Sequence, residues 1–226
     1  IIGLGDSFTE GIGAPQDSSW PAMLQAAIHN KHMVLNAGKA GSDVCFEYML
    51  MQKLQAEYTP QVVILAINTT DIDDIIIRGG MERFRSDSSV VFNNAPWWEP
   101  IYATSYIGRG LINALAKPDW TLTPQNSKPQ AEQKAINTIV ATVKQFKSFA
   151  DSYNIKLIVS LNPQIDELLN SNANYNNLVA DLESVNGIDF IDLKKEYLRH
   201  NYITATNYTK YYWPEDKHHN SAGYKI

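Results

Sequence analysis

Short apolar runs alternate with longer segments of helical periodicity along most of the chain. Buried strands are indicated by five such runs, IIGLG (1–5), MVLNAG (33–38), QVVILAI (61–67), KLIVSL (156–161) and IDFIDL (188–193). Between them, apolar residues recur every three or four positions, as in helices that bury one face. Strands that alternate with helices in this way are typical of parallel sheets covered on both faces, so the pattern predicts an α/β fold.

The helical segments lie at 19–32, 43–58, 130–153 and about 175–182, and Asp43 is placed to open the second of them. A segment at about 75–128 interrupts the alternation and is rich in Pro, Gly and aromatic residues. A stretch of this length without another strand–helix unit is typical of an active-site cover or of a disordered loop, and the aromatic residues favour order. No repeat or linker divides the chain, so the sequence predicts one domain, 1–226, that carries this insert.

Three aromatic residues of the insert are candidates to line a substrate groove, namely Trp97, Trp98 and Tyr102. Aromatic side chains bury large areas, so the alternative is that they pack the insert onto the core. Composition supports both interpretations equally. The two interpretations predict different effects of substitution, because groove residues contribute to substrate binding whereas packing residues contribute to stability.

Composition and charge limit the class of protein that this chain belongs to and the partners that it binds. The 226 residues are 44% hydrophobic, enough for a sizeable core, and the net charge of −5 with 19 dispersed basic residues argues against a nucleic-acid partner. No apolar run reaches the roughly 20 residues of a membrane-spanning helix. The single cysteine, Cys45, cannot form an internal disulfide, and no Cys or His spacing indicates a metal site. The chain begins in a predicted strand and stops just inside a predicted helix, so both natural ends are expected to be missing, and the sequence indicates neither a compartment nor an oligomeric state.

The heptapeptide GDSFTEG, residues 5–11, directly follows the first predicted strand. In parallel α/β sheets, ligand sites lie beyond the carboxyl ends of the strands. A serine at this place has its hydroxyl above the sheet edge and backbone N–H groups nearby, which is the geometry of an acyl-transfer nucleophile. The alternative is that Asp6, Ser7 and Thr9 merely cap the turn.

A serine hydroxyl needs a base, and the best candidates lie in WPEDKHHNSAGY, residues 213–224. Two histidines are adjacent there, His218 and His219, with Asp216 close enough to orient His218 and Asn220 placed to cap a final helix. The alternative is a polar surface turn that happens to hold two histidines. The combination of this segment with GDSFTEG favours a catalytic pair.

These two motifs resemble those of the SGNH or GDSL hydrolase family, serine esterases and acyltransferases built on a flavodoxin-like, doubly wound α/β/α sheet. The resemblance covers essentially the whole chain and implies that Ser7 is the nucleophile. The second family block, an asparagine with a glycine five residues later, matches residues 36–41. It implies that the Gly41 N–H, together with the Ser7 N–H, binds the oxyanion.

The third and fourth family blocks leave alternatives open. Family members commonly carry GxND after an apolar strand, with the asparagine donating to the oxyanion, whereas here the strand continues as AINTTDIDD. Either Asn68 or Thr70 therefore supplies the donor, and Asn68 is preferred because an amide N–H serves without giving up another hydrogen bond. The last block occurs as DxxH or as DxH followed by xNxxG. The second form selects Asp216 and His218, and the literal DxxH count selects His219 as the second choice.

The resemblance implies hydrolysis of O-acyl esters, whether small-acyl, carbohydrate or lipid esters, through an acyl-enzyme on Ser7 and with no metal or organic cofactor. Two alternatives stay open. The DxH form is similar to that of bacterial polysaccharide O-acetyltransferases, so transfer to a sugar by the same triad is one. A non-catalytic carbohydrate-binding scaffold is the other, because the third block departs from the family pattern, although the presence of Ser7, Asp216 and His218 favours an enzyme.

Overall fold

The computed structural model describes residues 1–29, 31–87, 89–92, 95–200 and 202–226. In chain order, the strands are β1 (Ile2–Gly5), β2 (Leu35–Asn36), β3 (Val62–Ile67), β4 (Lys156–Leu161) and β5 (Asp189–Asp192). The helices are α1 (Ser7–Glu10), α2 (Trp20–Ala27), α3 (Val44–Tyr58), α4 (Thr70–Arg78), α5 (Glu99–Thr104), α6 (Tyr106–Leu115), α7 (Lys128–Ser152), α8 (Ile165–Leu169), α9 (Ala173–Glu183) and α10 (Leu193–Arg199). Position 30 of the predicted helix at 19–32 and positions 88, 93 and 94 of the predicted insert lie outside the described residues.

The five strands form one sheet in the order β2-β1-β3-β4-β5, and every neighbouring pair is parallel. This is the flavodoxin-like order, in which the chain winds first to one side of β1 and then to the other. Helices flank the sheet, so the predicted three-layer α/β/α class is confirmed. The order also brings the carboxyl ends of β1 and β3 next to each other, because Gly5 pairs with Ala66.

Burial alternates along β3, which lies between β1 and β4 in the sheet. Val63, Leu65 and Ile67 are buried on one face of β3. Helix α3 packs on β1, and it contacts α7 where the rings of Tyr48 and Phe146 lie 5.2 Å apart. Although α7 is 25 residues long, no helix in the described part of the chain has the length and apolar character to cross a membrane.

Two predicted elements are shorter in the structure. The strand predicted at 33–38 is reduced to β2, because this edge strand pairs only with β1, through Leu35 and Asn36. The helix predicted at 19–32 ends at Ala27, and His29 then adopts the left-handed conformation with φ of 54°. A left-handed residue cannot continue an α-helix, so the chain turns there toward β2.

The chain divides into two compact units, one formed by residues 1–69 and 140–226 and the other by residues 70–139. The first unit holds the whole sheet and both sequence motifs. The second unit contains the predicted insert and consists of α4, α5, α6 and the first half of α7. That the whole chain forms a single domain stays a prediction.

Gly38 gives a test of the packing around α1. A Cβ atom at this position would lie 2.2 Å from the Glu10 backbone nitrogen and 2.5 Å from the Thr9 carbonyl carbon, and neither backbone atom can move aside easily. We expect Gly38→Ala to lower the free energy of unfolding by about 1–3 kcal/mol, the usual cost of overpacking. The measurement is urea-induced unfolding followed by circular dichroism.

Gly110→Ala, in α6, is the matched control, because its added Cβ would meet no atom within 4 Å. Alanine is favoured over glycine inside a helix by about 1 kcal/mol, so this variant should be as stable as the wild type or more stable. Equal stability of the two variants would show that Gly38 does not pack against the backbone of Thr9 and Glu10.

Candidate active site

Ser7 is the first residue of a short helix at the carboxyl end of β1. Asp6 caps this helix, its carboxylate accepting the Phe8 N–H at 2.9 Å, and Gly11 ends the helix in the left-handed conformation. The first N–H groups of a helix have no partner within it. The Ser7 N–H accordingly makes no hydrogen bond to the part of the chain that the structure describes, and it is available to an anion.

Gly5 is required by the close approach of α1 to β3. Its φ is +151°, and a Cβ atom would lie 2.2 Å from Thr9 Oγ1 and 2.8 Å from the Ala66 carbonyl oxygen. The Thr9 hydroxyl is buried and accepts a hydrogen bond from Trp20 Nε1 at 3.2 Å. The polar residues of GDSFTEG therefore both cap the turn and hold Ser7 in place, so the two interpretations of the motif are compatible.

His218 contacts Ser7, although 211 positions separate the two residues in sequence. Its Nε2 lies 2.8 Å from Ser7 Oγ, within the reach that a general base needs. The imidazole packs at 5.0 Å from the Phe8 ring, and the side chain is 23% exposed. The structure thus brings the predicted nucleophile and the predicted base into hydrogen-bond contact.

Asp216 lies beside His218 but does not hydrogen bond to its ring. The carboxylate accepts the His218 backbone N–H at 3.0 Å, and the nearest distance from Asp216 Oδ1 to His218 Nδ1 is 3.7 Å. That distance allows electrostatic attraction but is too long for a hydrogen bond. Within the described ranges, His218 Nδ1 has no hydrogen-bond partner. The predicted acid is therefore present at the site, and its visible contact orients the loop rather than the imidazole.

His219 occupies a different environment from its neighbour. It is 2% exposed, and its ring packs at 4.2 Å from that of Tyr212 and at 5.3 Å from that of Tyr224. The pKa of His219 is lowered to about 4, chiefly by burial and to a smaller extent by the nearby His218, while the Gly223 backbone acts in the opposite direction. The imidazole is neutral near pH 7 and forms part of an aromatic cluster. The structure therefore places His218, not His219, at the Ser7 hydroxyl.

The final segment forms a turn in place of the helix predicted after Asn220. Asn220 Oδ1 accepts the N–H groups of Ala222 and Gly223 at 2.9 and 3.1 Å, as a helix cap would, but residues 221–225 form only hydrogen-bonded turns. Gly223 is needed because a Cβ there would lie 2.2 Å from the Tyr211 carbonyl oxygen. The expectation of a helix is wrong, whereas the capping role of Asn220 is observed.

Gly41 lies in a loop that is fastened to the end of β1. The Lys39 N–H and the Ser42 hydroxyl both donate to the Gly5 carbonyl oxygen, at 2.9 and 3.3 Å, and the Ala40 N–H donates to the Glu10 carboxylate. Gly41 itself has φ of +71°, and its N–H makes no hydrogen bond to any described residue. The loop is thus attached to Gly5 and to Glu10, on either side of Ser7 in the sequence, and the Gly41 amide is unengaged within the described residues.

Asn68 directly follows β3 and is 2% exposed. Its Nδ2 donates to Asp6 Oδ2 at 2.7 Å. Burial raises the pKa of Asp6, while the hydrogen bonds from Asn68 and the Phe8 N–H and the nearby His218 oppose that shift. Thr70 is the first residue of α4 and belongs to the second unit, so its role at the oxyanion stays a prediction.

The aromatic candidates of the insert differ in their surroundings within the second unit. Trp98 packs edge to face on Tyr102 at 5.8 Å, and the Tyr102 hydroxyl donates to Asn113 Oδ1 at 3.2 Å. Trp97 is 84% exposed. Two of the three side chains therefore have packing contacts inside the α5–α6 hairpin, and substrate binding by any of them stays a prediction.

Glu167 is a buried carboxylate that the motifs do not predict, and it lies at Thr69, the residue after Asn68. It is 3% exposed and accepts a hydrogen bond from the Thr69 hydroxyl. The available signal was the pattern Gln-x-x-Glu at 164–167, directly after the predicted strand at 156–161, which marks a helix start at the carboxyl edge of the sheet. Among the described residues, no group of three or more His, Cys, Asp or Glu side chains is arranged to hold a metal ion.

The structure is an α/β/α protein with a parallel sheet, and a serine and a histidine are in contact beyond the carboxyl edge of that sheet. The sequence profile of the GDSL-like Lipase/Acylhydrolase family matches residues 4–226. The chain belongs to this family of ester-hydrolysing enzymes, which confirms the resemblance inferred from the motifs. A comparison with curated proteins finds no match.

Solved structures with the same fold are similar over the whole chain but at low identity. An acetyl xylan esterase, AlAXEase, is 17% identical with a TM-score of 0.53, the match covering 100% of this chain and 94% of that one. LAE5, an alpha/beta hydrolase enzyme from the metagenome of Lake Arreo in Spain, is 16% identical with a TM-score of 0.56 and coverage of 99% and 88%. A catalytic mutant of Axe2, an acetylxylan esterase from Geobacillus stearothermophilus, is 13% identical with a TM-score of 0.54 and coverage of 99% and 87%.

The adjacent histidines should respond differently to substitution. We expect His218→Ala to lower kcat for an activated ester by about 10³-fold or more, as is usual when a base is removed. We expect His219→Phe to keep most of the activity, because its ring packs among aromatic residues and its nitrogens reach no hydrogen-bond partner in the described part of the chain. Steady-state hydrolysis of p-nitrophenyl acetate measures both. An inactive His219→Phe beside an active His218→Ala would refute the assignment.

The depressed pKa of His219 also predicts how stability depends on pH. The unfolded chain protonates this histidine below its ordinary value of 6.5, whereas the folded chain does so only below about 4. Stability is therefore lost as pH falls from 6.5 to 4, by on the order of 3 kcal/mol, because one pKa unit corresponds to about 1.4 kcal/mol.

The measurement is the free energy of unfolding of the wild type and of His219→Phe at a series of pH values. The difference between the two proteins isolates the histidine, since Asp6 and Glu167, whose raised pKa values act in the opposite direction, are present in both. Parallel curves between pH 4 and 6.5 would show that His219 is not buried in its neutral form.

Proposed function

We propose that the protein hydrolyses O-acyl esters by a serine mechanism. The observation that carries this proposal is the distance of 2.8 Å between His218 Nε2 and Ser7 Oγ. In the first step His218 takes the hydroxyl proton while Ser7 Oγ attacks the ester carbonyl carbon. The tetrahedral intermediate expels the alcohol, which receives the proton from His218, and leaves an acyl group on Ser7. Water activated by the same imidazole then releases the acid.

The oxyanion that forms in both steps is bound by N–H groups in this mechanism. The amides of Ser7 and Gly41, unengaged within the described residues, are the first two donors, and Asn68 supplies a third through its side chain. Thr70 is the alternative third donor. Asp216 stabilises the imidazolium by its charge at 3.7 Å, and it fixes the loop through the His218 backbone N–H.

We propose small O-acyl groups, and acetylated carbohydrates first among them, as the substrate class. Two of the solved structures similar to this chain are acetyl xylan esterases, although at this identity they share the fold alone. An exposed tryptophan such as Trp97 is suited to stack on a sugar ring. Lipid esters, transfer of the acetyl group to a sugar, and sugar binding without turnover are the competing functions.

One series of assays tests the proposal. Wild-type protein and Ser7→Ala are given p-nitrophenyl esters from acetate to palmitate and, in parallel, acetylated xylan with and without an acceptor oligosaccharide. We expect turnover that is greatest for acetate, release of acetate without need of an acceptor, and a loss of about 10⁴-fold in kcat for Ser7→Ala.

Each competing function gives a different result. Preference for long chains indicates a lipid esterase, and acetyl transfer that requires the acceptor indicates a transferase. Binding of xylan without turnover of any ester indicates a non-catalytic scaffold. Ser7→Ala with more than about a tenth of wild-type activity would correspond to less than about 1.4 kcal/mol of lost stabilisation and would exclude Ser7 as the nucleophile.

A further inference from the structure

Thr69, the residue after Asn68, is held by residues at the start of α8, at the carboxyl edge of the sheet. Its hydroxyl donates to Glu167 Oε1 and accepts a hydrogen bond from Gln164 Nε2 at 3.1 Å. Glu167 and Thr69 are 98 positions apart in sequence. The contact therefore joins the loop after β3 to the start of α8, beyond β4.

The carboxylate of Glu167 does more than cap α8. Glu167 uses one carboxylate oxygen for the cap, where Oε2 accepts the Gln164 N–H at 2.9 Å, and the other oxygen for Thr69. The carboxyl group is 3% exposed, and burial raises its pKa. Burying a carboxyl group is costly unless hydrogen bonds compensate it. A buried group of this kind, aimed out of its own helix at the residue beside Asn68, fixes that residue in one conformation.

Two further contacts connect the segment of Thr69 and Asn68 to Ser7. Asn68 donates to Asp6 Oδ2 at 2.7 Å, and Asp6 caps the helix that begins at Ser7. The two loops that follow β1 and β3 are therefore linked by a buried amide–carboxylate hydrogen bond. The orientation of that amide depends on the backbone at residues 68 and 69.

We infer that Thr69 and Glu167 are positioning residues, which hold the Asn68 amide in the orientation that donates to the oxyanion. The inference rests on the proposed serine mechanism and on Asn68 as the third donor. The Thr69 hydroxyl is suited to this role because it both donates and accepts, so it is fixed from two sides. Neither residue needs to touch the substrate.

Thr69→Val and Thr69→Ser form the first test. Valine has nearly the same shape as threonine but no hydroxyl, and serine keeps the hydroxyl. We expect Thr69→Val to lower kcat about 10- to 100-fold with KM changed less than about threefold, because a misplaced donor is missed mainly in the transition state. We expect Thr69→Ser to remain close to wild type. An unchanged kcat for Thr69→Val, or a change in KM alone, would overturn the inference.

A double-mutant cycle with Asn68→Ala separates positioning from an independent effect. If Thr69 acts through Asn68, then Thr69→Val should cause no further loss of kcat in the Asn68→Ala background. Losses that multiply would show that Thr69 acts by another route. An Asn68→Ala variant with wild-type kcat would also overturn the inference, because there would be no donor to position.

Thr142→Val is the matched control. Thr142 is a buried threonine of the same unit, 1% exposed, with its hydroxyl 3.6 Å from Cys45 Sγ. Removing this hydroxyl should lower stability without lowering kcat. A loss of kcat equal to that of Thr69→Val would make the effect a general consequence of weakened packing and would contradict the inference.

Two further measurements keep the result interpretable. If Thr69→Val folds poorly by circular dichroism, Glu167→Gln replaces it, since glutamine keeps the shape but cannot accept both hydrogen bonds, and we expect the same loss of kcat at unchanged KM. Ser7→Ala reports on the proposed function separately. A wild type without esterase activity, or an active Ser7→Ala, refutes the serine mechanism, whereas a normal mechanism with normal kcat in both positioning variants refutes only the present inference.

Discussion

Asp6 buries its carboxyl group at the junction of β1 and α1, and it accepts hydrogen bonds there from the Phe8 N–H and from Asn68 Nδ2. Burial raises its pKa, so the two hydrogen bonds must compensate the loss of solvation. The first bond starts the helix that carries Ser7, and the second attaches the loop after β3. The orientation of the hydroxyl and that of the amide therefore depend on the same buried group.

The features that the sequence predicts correctly depend on residues that are close to one another in the chain. Alternating burial in β3 and the capping side chain of Asp43 each arise from neighbouring residues, so periodicity and residue type are sufficient to find them. Glycine as a residue type marks turns in both motifs, although the backbone oxygens that an added Cβ would strike at Gly5 and Gly223 belong to other segments, at Ala66 and Tyr211.

Contacts between residues far apart in the sequence could not be predicted from local patterns. Glu167 and Thr69 meet only because β3 and β4 are adjacent and parallel, and nothing in either local segment indicates the other. The distance between Asp216 and His218 Nδ1 likewise depends on the path of the loop, which passes through Lys217 with φ of +63°. The helix predicted after residue 220 is a further case, because the capping bonds of Asn220 are present although residues 221–225 form only turns.

Backbone pairing gives the two neighbouring histidines different surroundings. His219 pairs with Tyr212 in an antiparallel bridge, and successive side chains of an extended segment point to opposite sides. One imidazole therefore enters the aromatic cluster and the other reaches Ser7. Sequence motifs alone rank them by register, whereas the structure separates them by burial, with His219 2% exposed and the His218 side chain 23% exposed.

The histidine loop is anchored on the segment that follows Ser7. Trp213 Nε1 donates to the Gly13 carbonyl oxygen at 2.7 Å, and the Tyr224 hydroxyl donates to the Ile12 carbonyl oxygen at 2.8 Å. These two bonds hold both ends of the loop that carries His218. Because that segment continues directly from α1, a displacement of the helix carries Ser7 and the anchors of His218 together. The contact between base and nucleophile is thus maintained by shared attachment, although the His218 ring donates no hydrogen bond to Asp216, whose Oδ1 lies 3.7 Å from Nδ1.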